Sequence, residues 1–228
     1  AQAGQGAAVL TGTLRISATV DHAAQALAPI VAAFAAQHPQ LQIDLRSSDR
    51  VVDIVKEGID VAIRMGWLRD STLRATRLGD FEQHLVAAPG YLAQAGQPAT
   101  LDDLAQHECI QFVLPSTGQR VPWAFCQDGQ DVEVTTDGGC TCSEDLLGVV
   151  TLARAGAGLV QTYRFIVQED LARGTLVELL QAYAGRSRPF SLIYPANRHM
   201  PLKVRVFIDY LLAALGSGPM LPSTRGVA

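Results

Sequence analysis

Apolar and polar residues alternate over residues 14–18, directly after Gly12, and a period of two predicts a strand. Residues 19–22 have the character of a turn. Over 23–37 the apolar positions Leu27, Ile30, Val31 and Phe34 recur at helical spacing in an alanine-rich background, so a helix is expected there. Asp21 is its predicted N-cap, because a carboxylate accepts the unpaired amide protons of a first turn. Pro39 stops it. Alternation returns over 41–46. Residues 51–57 read as a short helix closed by Gly58, and 60–64, apolar through its centre, as a strand covered on both faces. The order strand, helix, strand, helix, strand argues for a parallel sheet with right-handed crossovers.

The pattern changes near residue 84. A short apolar strand over 84–88 stops at Pro89-Gly90. Short helices follow over 91–95 and 101–106, the second capped by Thr100. Three strand-like runs, 109–113, 121–127 and 132–136, are separated by turn residues. An amphipathic helix over 144–155 ends at Gly156, and 158–162 is another buried strand. Residues 189–194 form a last apolar strand and 202–215 a strongly amphipathic helix.

The final strand and helix have no sheet of their own, so they are expected to complete the first one. This predicts an α/β chain of two Rossmann-like lobes joined by a two-strand hinge. Lobe I would be 11–86 plus 189–215, and lobe II the inserted 87–188. Residues 1–10 would be residual linker, and the Gly-, Pro- and Ser-rich 216–228 a disordered tail. Clefts between such lobes, at the carboxyl ends of strands, bind small ligands.

Composition narrows the function. Of the 228 residues, 48% are hydrophobic and 18% charged, ample for a packed core and unlike a disordered chain. The net charge is −4, and Lys56 and Lys203 are the only lysines. Phosphate contacts dominate duplex affinity and need clustered cations; no cluster is seen, so the chain alone is expected to bind DNA poorly. No run reaches the roughly 18 apolar residues of a membrane helix, and no signal peptide is read at the N-terminus. The four cysteines, Cys109, Cys126, Cys140 and Cys142, are too few for a secreted disulfide scaffold. Reduced thiols in a cytoplasmic protein are the expectation.

Catalytic signatures are missing. There is no Gly-x-x-x-x-Gly-Lys, no Gly-x-Ser-x-Gly and no His-Glu-x-x-His, so a non-enzyme is expected. Gly156 and Gly158 imitate part of a dinucleotide loop but lie between a helix and a strand, the reverse of the required order. Cys140-x-Cys142 lacks the supporting Cys or His pair of a zinc site. The histidines are scattered, and no metal or cofactor is expected.

Five blocks, in order and in register from about Thr11 to Leu215, carry a family resemblance. They are Thr11-Gly12-Thr13-Leu14-Arg15-Ile16-Ser17; Leu27-Ala28-Pro29-Ile30-Val31 with Phe34 and His38-Pro39; Ser48-Asp49-Arg50-Val51-Val52-Asp53-Ile54-Val55 with Gly58-Ile59-Asp60-Val61-Ala62-Ile63-Arg64; Ala87-Ala88-Pro89-Gly90-Tyr91-Leu92 with Gly96-Gln97-Pro98 and Leu101-Asp102-Asp103-Leu104; and Ala155-Gly156-Ala157-Gly158-Leu159 with Leu171-Ala172-Arg173-Gly174-Thr175-Leu176-Val177. The chain resembles the effector-binding domain of LysR-type transcriptional regulators. The resemblance implies a fold like that of type 2 periplasmic binding proteins, closing on a small-molecule effector, with an organic anion the expected class. It also implies homodimers and tetramers in the full-length protein. DNA would be bound only through an N-terminal helix-turn-helix that is not part of this chain, with no membrane partner.

The implied effector contacts are Thr19, Val20 and Asp21 after the first strand, Ser48 after the second, and Arg64 and Met65 at the end of the third. From the second lobe come Phe112, Cys142, Ser143 and Tyr163, with Tyr194 near the return hinge. Arginine can hold a carboxylate through two parallel hydrogen bonds; a structural ion pair of Arg64 with Asp60 or Asp49 is the alternative. Ser143 is also a candidate N-cap, and Phe112 and Tyr163 are equally candidates for core packing. Three other readings stay open: a periplasmic solute-binding protein of a transporter on the same fold, a regulator sensing oxidants through its thiols, and an enzyme with Cys142 as nucleophile.

Overall fold

The structure, a computed structural model, describes residues 9–19, 21, 23–48, 53–65, 73–114, 117–143, 145–196 and 199–216. The expected helix at 51–57 lies partly outside these residues, as do most of the expected linker and all but the first residue of the tail.

The first sheet forms as its pattern requires. β1 (Gly12–Ala18) pairs in parallel with β2 (Leu41–Ser47) on one side and β3 (Val61–Met65) on the other. Leu14, Ile16 and Ala18 are fully buried, so the period of two is the burial period. The crossover from β1 to β2 is helical but does not begin as expected. Residues Ala23–Leu27 are wound as a π-helix, and α1 proper runs Ala28–Gln37 with Pro29 in its first turn. Pro29 has no N–H to give to an α-helical ladder, so the regular helix starts there. Its N-cap is Leu27, with no side-chain cap, rather than Asp21. Phe34 buries against Phe207 and Tyr210, both at 5.1 Å between ring centres.

The second crossover is not a helix among the described residues. Residues 54–58 make a turn in which the Asp53 carboxylate accepts the Lys56 amide at 3.0 Å. A side chain bonding its own backbone two or three residues on favours turn over helix.

β4 (Leu73–Ala87) is far longer than the strand expected at 84–88. Its first part pairs antiparallel with β11 (Ser187–Pro195), which in turn pairs with β3. From Gln83 onward its partners are β9 (Val160–Tyr163) and β10 (Val177–Leu179). One strand therefore serves both lobes, and the strand order is β10-β4-β11-β3-β1-β2 with β9 also on β4. The charged and polar stretch at 73–83 hides this strand from a hydrophobicity reading. Its cross-strand bonds, not its composition, hold it.

The second lobe adds α2 (Pro89–Ala95), a 3-10 turn at Asp102–Gln106, the parallel pair β5 (Gln111–Val113) and β8 (Thr141–Ser143), and the hairpin β6 (Trp123–Gln127) with β7 (Gln130–Val134). The N-cap of the 3-10 turn is Leu101, with no side-chain cap, rather than Thr100; Asp103, inside the turn, reaches back to accept the Ala99 and Thr100 amides at 2.8 Å. α3 (Leu146–Arg154) is capped by Asp145, whose carboxylate accepts the Leu147 amide at 2.8 Å. Ser143 is therefore not its cap. α4 (Arg164–Arg173), missed by the sequence reading, follows β9 directly; α5 (Leu202–Gly216) closes on the first sheet.

Gly158 permits the closest approach in this lobe. At φ +153° a Cβ on it would stand 2.2 Å from the Glu108 carbonyl oxygen. That carbonyl accepts the Leu159 amide at 2.8 Å, and the Leu159 carbonyl accepts Ile110 at 2.9 Å. Gly158→Ala is expected to cost about 1–3 kcal/mol of folding stability, the range for a locally forced backbone. Urea unfolding at wild-type midpoint would contradict this.

α3 and α4 are joined at their C-terminal ends by a forked pair. Arg154 donates through Nε to Asp170 Oδ1 at 3.0 Å and through Nη2 to Oδ2 at 2.7 Å, and Thr175 adds 2.8 Å to Oδ1. The Arg154 hydrogen bond holds the Asp170 carboxyl below its usual pKa. A depressed carboxylate stabilises the fold above the unfolded value near ~4, and that stability is lost as pH falls through the folded value. Arg154→Ala should cost about 1.5–3 kcal/mol at pH 7, as for charged hydrogen bonds, and the gap to wild type should narrow below about pH 4. A gap independent of pH would refute the assignment.

Candidate functional site

The parallel register places the carboxyl ends of β1, β2 and β3 side by side, since Ala18 faces both Ser47 and Ile63. Thr19, Ser48 and Arg64 therefore share one edge of lobe I. The Ser48 amide donates to the Ala18 carbonyl at 2.9 Å. Arg64 donates to Ser17 Oγ at 2.7 Å and to its neighbour's carbonyl, Ile63 O, at 3.0 Å. Asp60 stands at the other end of β3, where it accepts the Arg15 amide at 2.9 Å and lies 4.0 Å from Lys203 Nζ. Thr19 Oγ1 is buried and has no hydrogen-bond partner among the described residues. Asp21 is 4% exposed. Val20 lies outside the described residues, and of Met65 only the backbone, paired with Phe190, is described.

Across the hinge, a cavity of about 120 Å³ opens beside the crossing of β4, β9 and β11. Phe112 and Tyr163 both line it, together with Leu114, Trp123, Gln83 and Arg188. Gln83 and Tyr163 are directly paired across β4 and β9, so their side chains share a face. Tyr163 is 3% exposed, stacked on Phe165 at 5.7 Å and edge-on to Phe190 at 5.6 Å. Burial raises its pKa, while Arg188 pulls the other way and Asp21 adds to the rise. Tyr163 is thus both a core ring and a cavity wall. Arg188 has no carboxylate within ion-pair distance among the described residues.

Sequence reading missed Gln83 and Arg188. Each lies one residue outside an expected strand, Gln83 before 84–88 and Arg188 before 189–194, and no local pattern extends those strands to include them.

The other expected residues lie apart from this cavity. Cys142 pairs with Phe112 across β5 and β8, but its thiol packs over Gly148, where a Cβ would come within 2.5 Å of Sγ. It donates to the Asp145 carbonyl at 3.5 Å. Ser143 is exposed, and its carbonyl accepts the Asp145 amide at 2.9 Å. Tyr194 is distant, because β11 runs antiparallel to β3 and carries it to the opposite end of lobe I. There it lies 3.4 Å from Thr76 Oγ1 and lines a cavity of about 50 Å³ with Asp60 and Met200.

The thiols are all free. Burial pushes Cys109 up to about 12, helped by Glu108. Burial also raises Cys142, helped by Asp145. A thiolate nucleophile or oxidant sensor needs the opposite shift. Among the described residues no group of three His, Cys, Asp or Glu could hold a metal, and no helix is long and apolar enough to cross a membrane. Limiting iodoacetamide should leave Cys109 untouched in the native chain and label Cys142 more slowly than a free thiol at the same pH. Rapid, selective labelling of Cys142 would contradict the shifted thiol.

The chain spans about two thirds of the length of the curated relatives it matches. The HTH-type transcriptional regulator PtxR of Pseudomonas aeruginosa is 38% identical over 212 residues, 92% of this chain and 66% of PtxR. The HTH-type transcriptional regulator CrgA of Neisseria meningitidis is 31% identical over 208 residues, 90% of this chain and 68% of CrgA. The solved CrgA regulatory domain superposes with a TM-score of 0.82 at 30% identity, covering 91% of this chain and all of that one. The full-length virulence activator AphB of Vibrio cholerae gives 0.77 at 28% identity, covering 90% of this chain and 69% of that one. These regulatory domains have the fold of type 2 periplasmic binding proteins. The family model described as the LysR substrate binding domain matches residues 7–216, and the chain belongs to that family.

Proposed function

We propose that this domain senses a small organic anion in the cavity beside the hinge, and that the full-length protein uses it to control transcription. The carrying observation is Arg188, a partly buried cation in a mostly apolar cavity wall, with no carboxylate at ion-pair distance among the described residues. A cation in apolar surroundings makes a stronger contact with an anion than it would in water. Phe112 and Tyr163 supply flat walls for the ligand's body. Thr19, Asp21, Ser48 and Arg64, at or near the carboxyl ends of the lobe I strands, would close on the ligand from the other side, with Val20 and Met65 as further candidates by sequence position alone.

The mechanism is a population shift. An effector held by both lobes binds one relative orientation better and moves the equilibrium by that difference in affinity. The moving bodies are taken as 11–86 with 189–215, and 87–188. The orientation would pass to subunit contacts of a dimer or tetramer, and from there to an N-terminal DNA-binding domain, in the cytoplasm. The relatives named as HTH-type regulators support this reading.

A thermal-shift screen of small organic acids, amino acids and neutral aromatics tests it. Ligand at 100 times its Kd should add about 2.7 kcal/mol to unfolding. Leu114→Trp fills the cavity from its rim, where Leu114 is 38% exposed and a larger side chain is tolerated. It should keep the wild-type melting temperature and lose the ligand-induced rise. Protection that survives Leu114→Trp, or no protection by any acid, would overturn the proposal.

A further inference from the structure

The polar atoms of the cavity restrict its ligand further, an inference that rests on the cavity being the effector site. We propose that it selects a singly charged carboxylate on a compact apolar body that also carries one hydrogen-bond donor, a hydroxyl or an ammonium group.

Size comes first. A cavity of about 150 Å³ admits a benzene ring, and this one holds about 120 Å³. The enclosed part of the ligand is therefore on the order of one ring or a short branched chain. Ile110, Phe112, Leu114, Val121 and Leu146 line that space with carbon, which excludes sugars and other evenly polar molecules, since their hydroxyls would be desolvated without partners.

Charge comes second. Arg188 offers a site for one carboxylate. Arg188 is the one charged side chain among the described residues lining the cavity, so a second negative charge on the ligand would be desolvated without a cation, and dicarboxylates and phosphates are disfavoured.

Hydrogen bonding comes third. Gln83 Oε1 is buried and has no partner among the described residues. It lies on the cavity face beside Tyr163, on the strand that joins the lobes. A buried acceptor left without a donor is costly, and a ligand donor relieves it. Sites of this kind reject analogues that lack the matching group far more strongly than those that lack a methylene.

The test is calorimetric titration of the wild-type chain with one-ring probes of matched size. Benzoate carries the charge alone, 3-hydroxybenzoate adds a hydroxyl, phenylglycine adds an ammonium, phthalate adds a second charge, and phenol has no carboxylate. Hydroxybenzoate or phenylglycine should bind at least about tenfold more tightly than benzoate, with phthalate and phenol weaker than benzoate. Which of the two leads tells a hydroxy acid from an amino acid. Gln83→Met should bring the leading probe down to the affinity that benzoate has for the same variant, and an unchanged melting temperature shows that the variant is folded. Benzoate or phthalate binding as tightly as the donor-bearing probes, or a preference that survives Gln83→Met, overturns the ligand class. If no probe in this series binds while the broader acid panel still protects the chain in a Leu114-dependent way, the class falls and the site stands. If neither series protects it, both fall.

Discussion

Four aromatic rings at the crossing of β4 and β11 hold the two lobes in one molecule. Phe81 on β4 meets Phe190 on β11 edge-on at 4.6 Å and Phe165 at 5.4 Å, and Tyr163 at the end of β9 packs against both Phe165 and Phe190. Edge-on and stacked pairs at these distances add to what burial alone contributes. The same strands then place the polar groups of the cavity. Gln83 is two residues beyond Phe81, Arg188 is two residues before Phe190, and Arg188 is paired directly opposite Phe81. A strand repeats its facing every two residues. Once the rings are buried on this face, an amide and a guanidinium must stand beside them. The packing of the rings and the polar lining of the cavity are consequences of one register.

This explains which parts of the molecule were legible in the sequence. The opening sheet was, because its strands are buried on both sides or alternate cleanly, and the burial of Leu14, Ile16 and Ala18 follows the alternation. β4 was legible only over its last residues. Its first ten set the apolar Leu73, Leu78 and Phe81 among charged, small and polar side chains at no strand period, and its place is set by pairing with β11, more than a hundred residues away. α4 has almost no apolar stripe to reveal it. Phe165, Ile166 and Val167 are consecutive, buried where the helix enters the junction of sheet and lobe.

The site was legible in part for the same reason. Residues at the ends of predicted strands, Phe112 and Tyr163, could be placed at a cleft. Arg188 and Gln83 could not, because each belongs to a strand whose true extent depends on a distant partner. Tyr194 lay on a correctly expected strand, but the antiparallel direction of β11 carries it to the far end of lobe I. Cys142 stands next to Phe112 across two short strands, yet the close packing of Gly148 draws its thiol under α3. In each case direction and register, which a single strand pattern does not contain, decide where a side chain ends up.

The position of β11 between β3 and β4 also governs the order in which the chain can fold as it is made. Neither neighbour has its hydrogen-bonding partner on that side until about Pro195 has been synthesised. At ordinary rates of about 5–20 residues per second, the strands of lobe I wait several seconds with an open edge. The inserted lobe has its β9 and β10 pairings available earlier, since they need only the end of β4 and residues up to Leu179. Newly made chains should therefore pass through a stage in which the inserted lobe is ordered and the enclosing one is not. Premature pairing of the β3 and β4 edges with other chains is then the main route to aggregation.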